Sequence, residues 1–194
     1  VTLAFDMADK YRMPAMILAD GLLGQMMEPV TFPEKKTKFE EKPWATTGHG
    51  YKRKHNITNS LYLKPEELEA SIKARFKRYD EIKADHTEAE LYLTDDAEIV
   101  VAAYGATARV AKSAVNLARA EGIKAGLFRP ITLWPFPEKE LNEASKNAKV
   151  ILDVEMSMGQ MVEDVKLAIN CSKPVEFYGR TGGVIPTPDE ILGQ

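Results

Sequence analysis

The sequence predicts an α/β fold built on a mainly parallel sheet with helices on both faces. Residues 98–104 form an almost continuous apolar run, which is typical of a strand covered on both sides. Three more strand-like runs follow it, and a segment of helical character separates each from the next. Strands and helices that alternate at this spacing favour parallel pairing through crossover connections. We therefore expect a three-layer α/β/α unit in the C-terminal half of the chain.

The elements of this unit are predicted in order along the chain. Strands are predicted over residues 98–104, 123–128, 149–155 and 174–178. Helices are predicted from the turn at residues 105–107 to Glu121, over residues 138–148, after Gln160, and from Pro186 onwards. Gly122 closes the first of these helices, because glycine tolerates the backbone conformation that commonly ends a helix.

The N-terminal part of the chain gives weaker signals. Residues 1–12 carry apolar side chains on one helical face, and residues 14–20 have the pattern of a short buried strand. Gly21 and Gly24 permit a close turn after that strand. Because no capping residue precedes the first helix, we expect the chain to be a fragment of a longer polypeptide.

Residues 31–63 show no periodicity and predict an extended linker, since structureless segments of this length are uncommon inside compact domains. Its basic run, residues 52–55, is interpreted as a solvated face, with an anion contact as the alternative. After Pro65, an apolar stripe at helical spacing predicts an amphipathic helix that packs in the core or at an interface. The stripe consists of Leu68, Ile72, Phe76, Tyr79 and Ile82.

The composition argues against several classes of function. The net charge is −3, without the basic patch of nucleic-acid binding proteins, and no apolar run approaches the roughly 20 residues of a membrane span. Cys171 is the only cysteine, so the chain forms no intrachain disulfide and cannot alone ligate a four-thiolate iron–sulfur cluster. This fits a reducing cytosol. His49, His55 and His86 have no spacing typical of a metal site.

Candidate functional residues lie in the loops that follow the predicted strands. These loops should gather at the carboxyl edge of the sheet, where α/β folds bind ligands. The first loop lacks the later glycines of the dinucleotide fingerprint, which argues against a nicotinamide site. The residues form no nucleophile–histidine–acid set. The candidates for anion binding or a subunit interface are Gly105, Thr107, Arg129, Glu155, Gly159, Gln160 and Arg180.

Two of these candidates are arginines with two alternative roles. Arg129 and Arg180 are the best anion-binding candidates, because a guanidinium holds a carboxylate or phosphate with two parallel hydrogen bonds. Either could instead pair with Glu155 as an internal tie. A third candidate, Thr107, is expected to cap the helix that begins beside it by accepting a hydrogen bond from a backbone N–H.

A proline-rich loop, residues 129–137, connects the second predicted strand of this unit to the following helix. Proline fixes φ and removes an N–H, so the loop is stiff and extends neither neighbour. We expect Trp134 and Phe136 to fill the core. The loop is interpreted as a rigid interface platform, with Arg129 as the residue that meets an anion or a partner subunit.

Five ordered stretches together resemble the alpha subunit of 2-oxoacid:ferredoxin oxidoreductases, and the resemblance extends over nearly the whole chain. They are residues 19–29 (ADGLLGQMMEP), 104–109 (YGATAR), 127–137 (LFRPITLWPFP), 154–161 (VEMSMGQM) and 178–183 (YGRTGG). Residues 43–48 (PWATTG) and 56–63 (NITNSLYL) look most like the branched-chain type, which acts on 3-methyl-2-oxobutanoate. The 2-oxoglutarate type is the second choice.

The resemblance implies three parts in the chain. Residues 1–33 would be the C-terminal end of a pyrimidine-binding thiamine diphosphate domain, residues 34–95 a linker strap with the amphipathic helix, and residues 96–194 a transketolase C-terminal-like domain. Enzymes of this family oxidatively decarboxylate a 2-oxoacid on thiamine diphosphate, pass electrons through iron–sulfur clusters to ferredoxin, and release an acyl-CoA. The resemblance thus implies a cytoplasmic hetero-oligomer with a beta subunit and iron–sulfur or gamma subunits.

The chain also departs from the family pattern. Ala19-Asp20-Gly21 lacks the first glycine of the diphosphate–magnesium motif, which the resemblance places on the beta subunit. The acidic residue that activates the cofactor would precede Val1. We therefore expect other parts of the enzyme to hold thiamine diphosphate, magnesium and the clusters, and this fragment alone to be inactive. The alternatives are a relative of transketolase or of 2-oxoacid dehydrogenase beta chains, and a non-catalytic interaction module.

Overall fold

The computed structural model describes residues 1–32, 34 and 41–194. The predicted boundary at Pro33 and most of the lysine-rich run that follows it lie outside the described residues. The described chain forms two compact units, one of residues 1–26 with 78–194 and one of residues 27–77.

A five-stranded sheet organises the larger unit, in the order β1-β3-β2-β4-β5. The strands are β1 (Ala89–Tyr92), β2 (Ile99–Ala102), β3 (Ala125–Pro130), β4 (Val150–Glu155) and β5 (Val175–Gly179). β2 pairs in parallel with both β3 and β4, and β4 pairs in parallel with β5. The predicted α/β class with a mainly parallel sheet is therefore confirmed.

The antiparallel edge strand β1 was not predicted from the sequence. It pairs with β3, with Glu90 opposite Arg129 and Leu91 opposite Phe128. Its four residues are too few for the alternation of apolar and polar side chains to be recognised, and they follow a long helix closely. Only the pairing with β3 shows that this segment is a strand.

Seven helices are described. They are α1 (Thr2–Tyr11), α2 (Gly21–Gln25), α3 (Pro65–Asp85), α4 (Gly105–Ala120), α5 (Glu138–Ala144), α6 (Met161–Ala168) and α7 (Pro188–Leu192). α4 and α7 cover one face of the sheet and share a core cluster with it that includes Val101, Val115 and Ile191. α5 and α6 cover the other face, around Phe128 and Leu141. The helices therefore lie on both faces, as predicted from the alternation of elements.

The prediction of a buried strand at residues 14–20 is wrong. These residues pair with none of the five strands, and Met16, Ile17 and Leu18 are exposed. A strand needs neighbouring N–H and C=O groups, which an apolar pattern alone does not provide. Ahead of this segment α1 is attached through the buried Tyr11, whose hydroxyl donates to Asp85 at 2.8 Å.

In the proline-rich loop two prolines are buried, and Trp134 is not. Pro135 and Pro137 are buried, whereas Trp134 is 56% exposed and meets the edge of Tyr79 with ring centroids 5.3 Å apart. The prediction that Trp134 fills the core is therefore wrong, because this segment alternates its side chains and turns the two prolines inward. Phe136 is half-buried and packs against the core cluster around Phe128.

Candidate functional site

The two central strands of the sheet form a topological switch point. After β2 the chain enters α4 on one face, and after the neighbouring β4 it enters α6 on the opposite face. Adjacent parallel strands with this arrangement leave a crevice at their carboxyl ends, where open α/β sheets usually bind ligands. Here the β2–α4 connection at residues 103–104 and the β4–α6 loop at residues 156–160 border the crevice.

The structure brings several predicted residues to this edge. Gly105 and Thr107 begin α4, and Glu155, Gly159 and Gln160 belong to the end of β4 and the loop after it. The loops after β4 and β5 also touch. The backbone N–H of Arg180 donates to the carbonyl oxygen of Glu155 at 3.1 Å. A Cβ at Gly179 would lie 2.4 Å from the carbonyl oxygen of Ser157, so only glycine fits there.

Glu155 organises the β4–α6 loop. Its side chain is fully buried and accepts hydrogen bonds from Ser157 Oγ at 2.8 Å, the Gln160 N–H at 2.9 Å and the Val162 N–H at 3.1 Å. The carboxylate thereby accepts hydrogen bonds from the N-terminal N–H groups of α6, where the N-cap residue Gln160 makes no side-chain cap bond. Burial would raise the Glu155 pKa, but hydrogen bonding with Asp153, Gln160 and Ser157 outweighs burial and holds it below its usual value.

Asp153, which sequence reasoning missed, lies two residues earlier on the same face of β4. It is fully buried, and neither oxygen accepts a hydrogen bond from the described residues. Burial first, and Glu155 second, raise the Asp153 pKa to about 9, so the side chain is a neutral acid at pH 7. The sequence contained one signal of this burial. Side chains two residues apart on a strand share a face, and this places Asp153 beside the buried Ile151.

Tyr104 completes a cluster of three ionisable groups at the crevice. It follows β2, is half-buried and packs against the same core cluster as Ile151. Burial raises the Tyr104 pKa, and the charges of Glu155 and Asp153 raise it further. The cluster can hold a proton in the protein interior, and it contains no activated nucleophile.

The side chain of Asp20, and not that of Thr107, accepts hydrogen bonds from the N-terminal N–H groups of α2 and α4. One oxygen of Asp20 accepts from the Leu23 N–H at 2.8 Å and caps α2, while the other accepts from the Ala106 N–H at 3.3 Å. The N-cap residue of α4 is Tyr104, which makes no side-chain cap bond, and Thr107 is buried inside the first turn. The predicted capping role of Thr107 is therefore wrong, because the helix begins two residues before it.

The chain's own carboxylates thus satisfy both helix N-termini at the switch point. Asp20 approaches α4 and Glu155 serves α6. Such N-termini attract anions because their free N–H groups and the helix dipole favour negative charge. In this chain the carboxylates of Asp20 and Glu155 supply the negative charge at these two helix N-termini.

Neither arginine candidate pairs with the Glu155 side chain. Arg129 binds Glu90 of the neighbouring strand at 2.6 Å, and Lys112 of α4 binds the same carboxylate at 2.7 Å. These two partners hold the Glu90 pKa below its usual value, with Lys112 contributing most. Arg180 binds Glu190 at 2.7 Å. Both guanidiniums remain partly accessible, and their binding of an external anion stays a prediction.

The described residues contain no group of three or more His, Cys, Asp or Glu side chains that could hold a metal ion. None of the described helices is long and apolar enough to cross a lipid bilayer. A pocket of about 410 Å³ lies at the amino edge of the sheet and is lined by Glu98, Lys124 and Lys149 among others. It lies at the edge opposite the candidate residues, so the position of the strand ends is the better guide to the site.

Residues 97–191 match the family described as pyruvate:ferredoxin oxidoreductase core domain II. Over 190 residues the chain is 46% identical to ketoisovalerate oxidoreductase subunit VorB of Methanothermobacter marburgensis, which is 97% of this chain and 53% of that protein. It is 32% identical over 219 residues to 2-oxoglutarate synthase subunit KorA of the same organism, with 98% of this chain and 58% of that protein covered. The chain therefore spans little more than half the length of these relatives.

The structure resembles a 2-oxoglutarate:ferredoxin oxidoreductase from Magnetococcus marinus, solved with 2-oxoglutarate, coenzyme A and succinyl-CoA bound. The TM-score is 0.71 at 20% identity, over 96% of this chain and 37% of that chain. At this identity the likeness establishes the fold. The sequence relatives confirm the predicted resemblance, and the branched-chain type precedes the 2-oxoglutarate type as predicted.

Proposed function

We propose that the chain is part of the alpha subunit of a 2-oxoacid:ferredoxin oxidoreductase, because residues 97–191 match the pyruvate:ferredoxin oxidoreductase core domain II family. The enzyme oxidatively decarboxylates a 2-oxoacid to an acyl-CoA and reduces ferredoxin. The observation that carries the proposal is the 46% identity to ketoisovalerate oxidoreductase subunit VorB over 97% of this chain.

The proposed substrate is 3-methyl-2-oxobutanoate, and 2-oxoglutarate is the second candidate. The 46% identity to the ketoisovalerate enzyme against 32% to the 2-oxoglutarate enzyme supports this order. The same two relatives support partner subunits, since both are named as subunits of an enzyme. We propose a beta subunit, iron–sulfur or gamma subunits and ferredoxin as the partners, in the cytoplasm.

The donor set of this chain does not fit the cofactors of such an enzyme. A single cysteine, Cys171, cannot provide the four thiolates of an iron–sulfur cluster. The Asp20 carboxylate, the nearest match to a diphosphate–magnesium aspartate, accepts from two backbone N–H groups instead. We therefore propose that thiamine diphosphate, magnesium and the clusters bind to other parts of the assembled enzyme.

The proposed role of this chain is to shape the assembly. In this proposal residues 1–33 end the pyrimidine-binding domain, residues 34–95 form the linker strap, and residues 96–194 form the transketolase C-terminal-like domain. The loops at the carboxyl edge then line a subunit interface near the cofactor or the coenzyme A entrance. Three contacts to the Glu155 carboxylate give one of these loops a defined shape, which suits a surface that meets a partner.

Substrate oxidation by the complete enzyme tests this proposal. The full-length protein is purified with its partner subunits, and coenzyme A-dependent ferredoxin reduction is measured with 3-methyl-2-oxobutanoate and 2-oxoglutarate. We expect a kcat/KM for the branched-chain acid that is at least about tenfold higher, which corresponds to 1.4 kcal/mol of transition-state binding. Preference for 2-oxoglutarate would favour the second candidate. An iron-free complex that reduces no ferredoxin would overturn the oxidoreductase proposal.

Replacing Arg129 with alanine tests the proposed interface at the proline-rich loop. The Arg129–Glu90 pair is partly exposed, so its loss should lower the free energy of unfolding by no more than about 1 kcal/mol. We expect the variant to fold normally and to lose activity in the assembled enzyme, or to bind its partner subunit less tightly. Glu90→Gln is the control, because it keeps the guanidinium while removing the ion pair with Arg129, together with the one between Glu90 and Lys112. Equal losses in both variants would assign Arg129 a purely structural role.

A further inference from the structure

Two buried carboxyl groups share one face of β4 at the switch point. Asp153 and Glu155 are both fully buried, and residues two apart on a strand lie about 6.6 Å apart on the same side of the sheet. Their surroundings differ sharply. Glu155 accepts hydrogen bonds from Ser157, Gln160 and Val162, whereas no described residue donates to Asp153.

This asymmetry determines which carboxyl group carries a proton. A buried carboxylate without a hydrogen-bond donor is strongly disfavoured, and a second carboxylate beside it adds repulsion. Glu155 has the donors that stabilise a negative charge, and Asp153 has none. We propose that Asp153 and Glu155 share one proton, and that its loss releases the loop at residues 156–160 and the first turn of α6. This inference does not depend on the proposed function.

Few other charged or titratable groups lie around Asp153 and Glu155 that could stabilise a negative charge on both carboxyl groups. Tyr104, which follows β2, is neutral when protonated. The neighbouring strands β2 and β5 place Ala102 and Phe177 opposite Asp153 in the sheet register. From α6, Lys166 lowers the Asp153 pKa, but this is the smallest of the four influences on it. Asp164, on the same helix, is itself raised in pKa, mainly by burial and partly by Glu163 and Glu155.

The direction of the pH dependence follows from the Asp153 pKa. The folded-state pKa of about 9 is above the value of about 3.9 in an unfolded chain. The stabilisation from the bound proton is therefore complete below the unfolded-state value and is lost as the pH rises through the folded-state value. The loop is held at neutral pH and released in alkali.

Amide hydrogen exchange of the full chain, corrected for the intrinsic pH dependence, tests the proposal. The N–H groups of Gln160 and Val162 report the loop, because both donate to Glu155. In the unmodified chain we expect their protection to fall about tenfold or more between pH 7 and pH 10, equivalent to one pKa unit of coupling. In Asp153→Asn, which cannot ionise, we expect a change of about twofold or less.

Two controls complete the experiment. Glu176→Gln removes an exposed carboxylate of β5 and should behave like the unmodified chain, and the N–H of the buried Val115 in α4 should stay protected throughout. The carboxyl carbon resonance of Asp153 provides a measurement that requires no variant, and it should titrate near pH 9. Titration of Asp153 below pH 5, or equal losses of protection in the unmodified chain and Asp153→Asn, would overturn the proposal.

Discussion

Replacement of Glu155 by alanine is expected to lower the free energy of unfolding by about 3–5 kcal/mol at pH 7. The substitution leaves the N–H groups of Gln160 and Val162 and the hydroxyl of Ser157 without their acceptor. It also opens a cavity at a position with no solvent exposure. Chemical denaturation followed by circular dichroism measures the loss.

The pH dependence of this variant provides a second signature. Because the folded-state pKa of Glu155 is lowered, its ionic contribution is present above the unfolded-state value and is lost as the pH falls through the folded-state value. The difference between Glu155→Ala and the unmodified chain should therefore shrink in acid. The matched control is Glu163→Ala, an exposed acid in the first turn of α6, for which we expect a loss of at most about 1 kcal/mol. Comparable losses in the two variants would contradict the assigned role of Glu155.

Replacement of Gly126 by alanine is expected to destabilise the sheet by about 2–3 kcal/mol. Gly126 lies in β3, and an added Cβ would be 2.7 Å from the carbonyl oxygen of Leu93 and 3.0 Å from the Cα of Thr94. Both atoms belong to the backbone of the segment between β1 and β2, so the contact cannot be relieved by rotating a side chain. Thermal unfolding should show a clearly lower melting temperature.

Gly24→Ala is the matched control for this prediction. Gly24 lies in the short helix α2, and beyond its two neighbours and the backbone of that helix no described atom is within 4 Å of the position that its Cβ would occupy. Alanine in a helix is favoured over glycine by about 0.5–1 kcal/mol, so this variant should be neutral or slightly more stable. A loss at Gly24 as large as that at Gly126 would show that backbone freedom, rather than steric contact, determines the effect.

The site was predicted less completely than the fold, and the β4–α6 loop shows why. Its position followed from the alternation of strands and helices, so Glu155, Gly159 and Gln160 were identified as candidates. The role of Glu155 depends on which N–H groups surround its carboxylate, and loop geometry determines this. Asp153 was missed because a charged residue within a strand is usually interpreted as solvent-facing, whereas both faces of this sheet are covered.

The arginines illustrate a related difference. The residue type already indicated that Arg129 and Arg180 bind carboxylates, and both do. Their partners, Glu90 and Glu190, could not be chosen from the sequence. Glu90 lies on the edge strand that was not recognised, so the partner of Arg129 was not placed in the sheet.

The sequence by itself determined the class of fold, the order of the four parallel strands along the chain, and the resemblance to 2-oxoacid:ferredoxin oxidoreductases. These properties depend on local periodicity and on motifs of adjacent residues, which a linear chain displays directly. Only the tertiary structure decided that residues 14–20 form no strand, that Trp134 faces outward, and that Asp153 and Glu155 share a buried face. Each of these depends on contacts between residues distant in sequence, because hydrogen-bond pairing and burial are properties of neighbours in space.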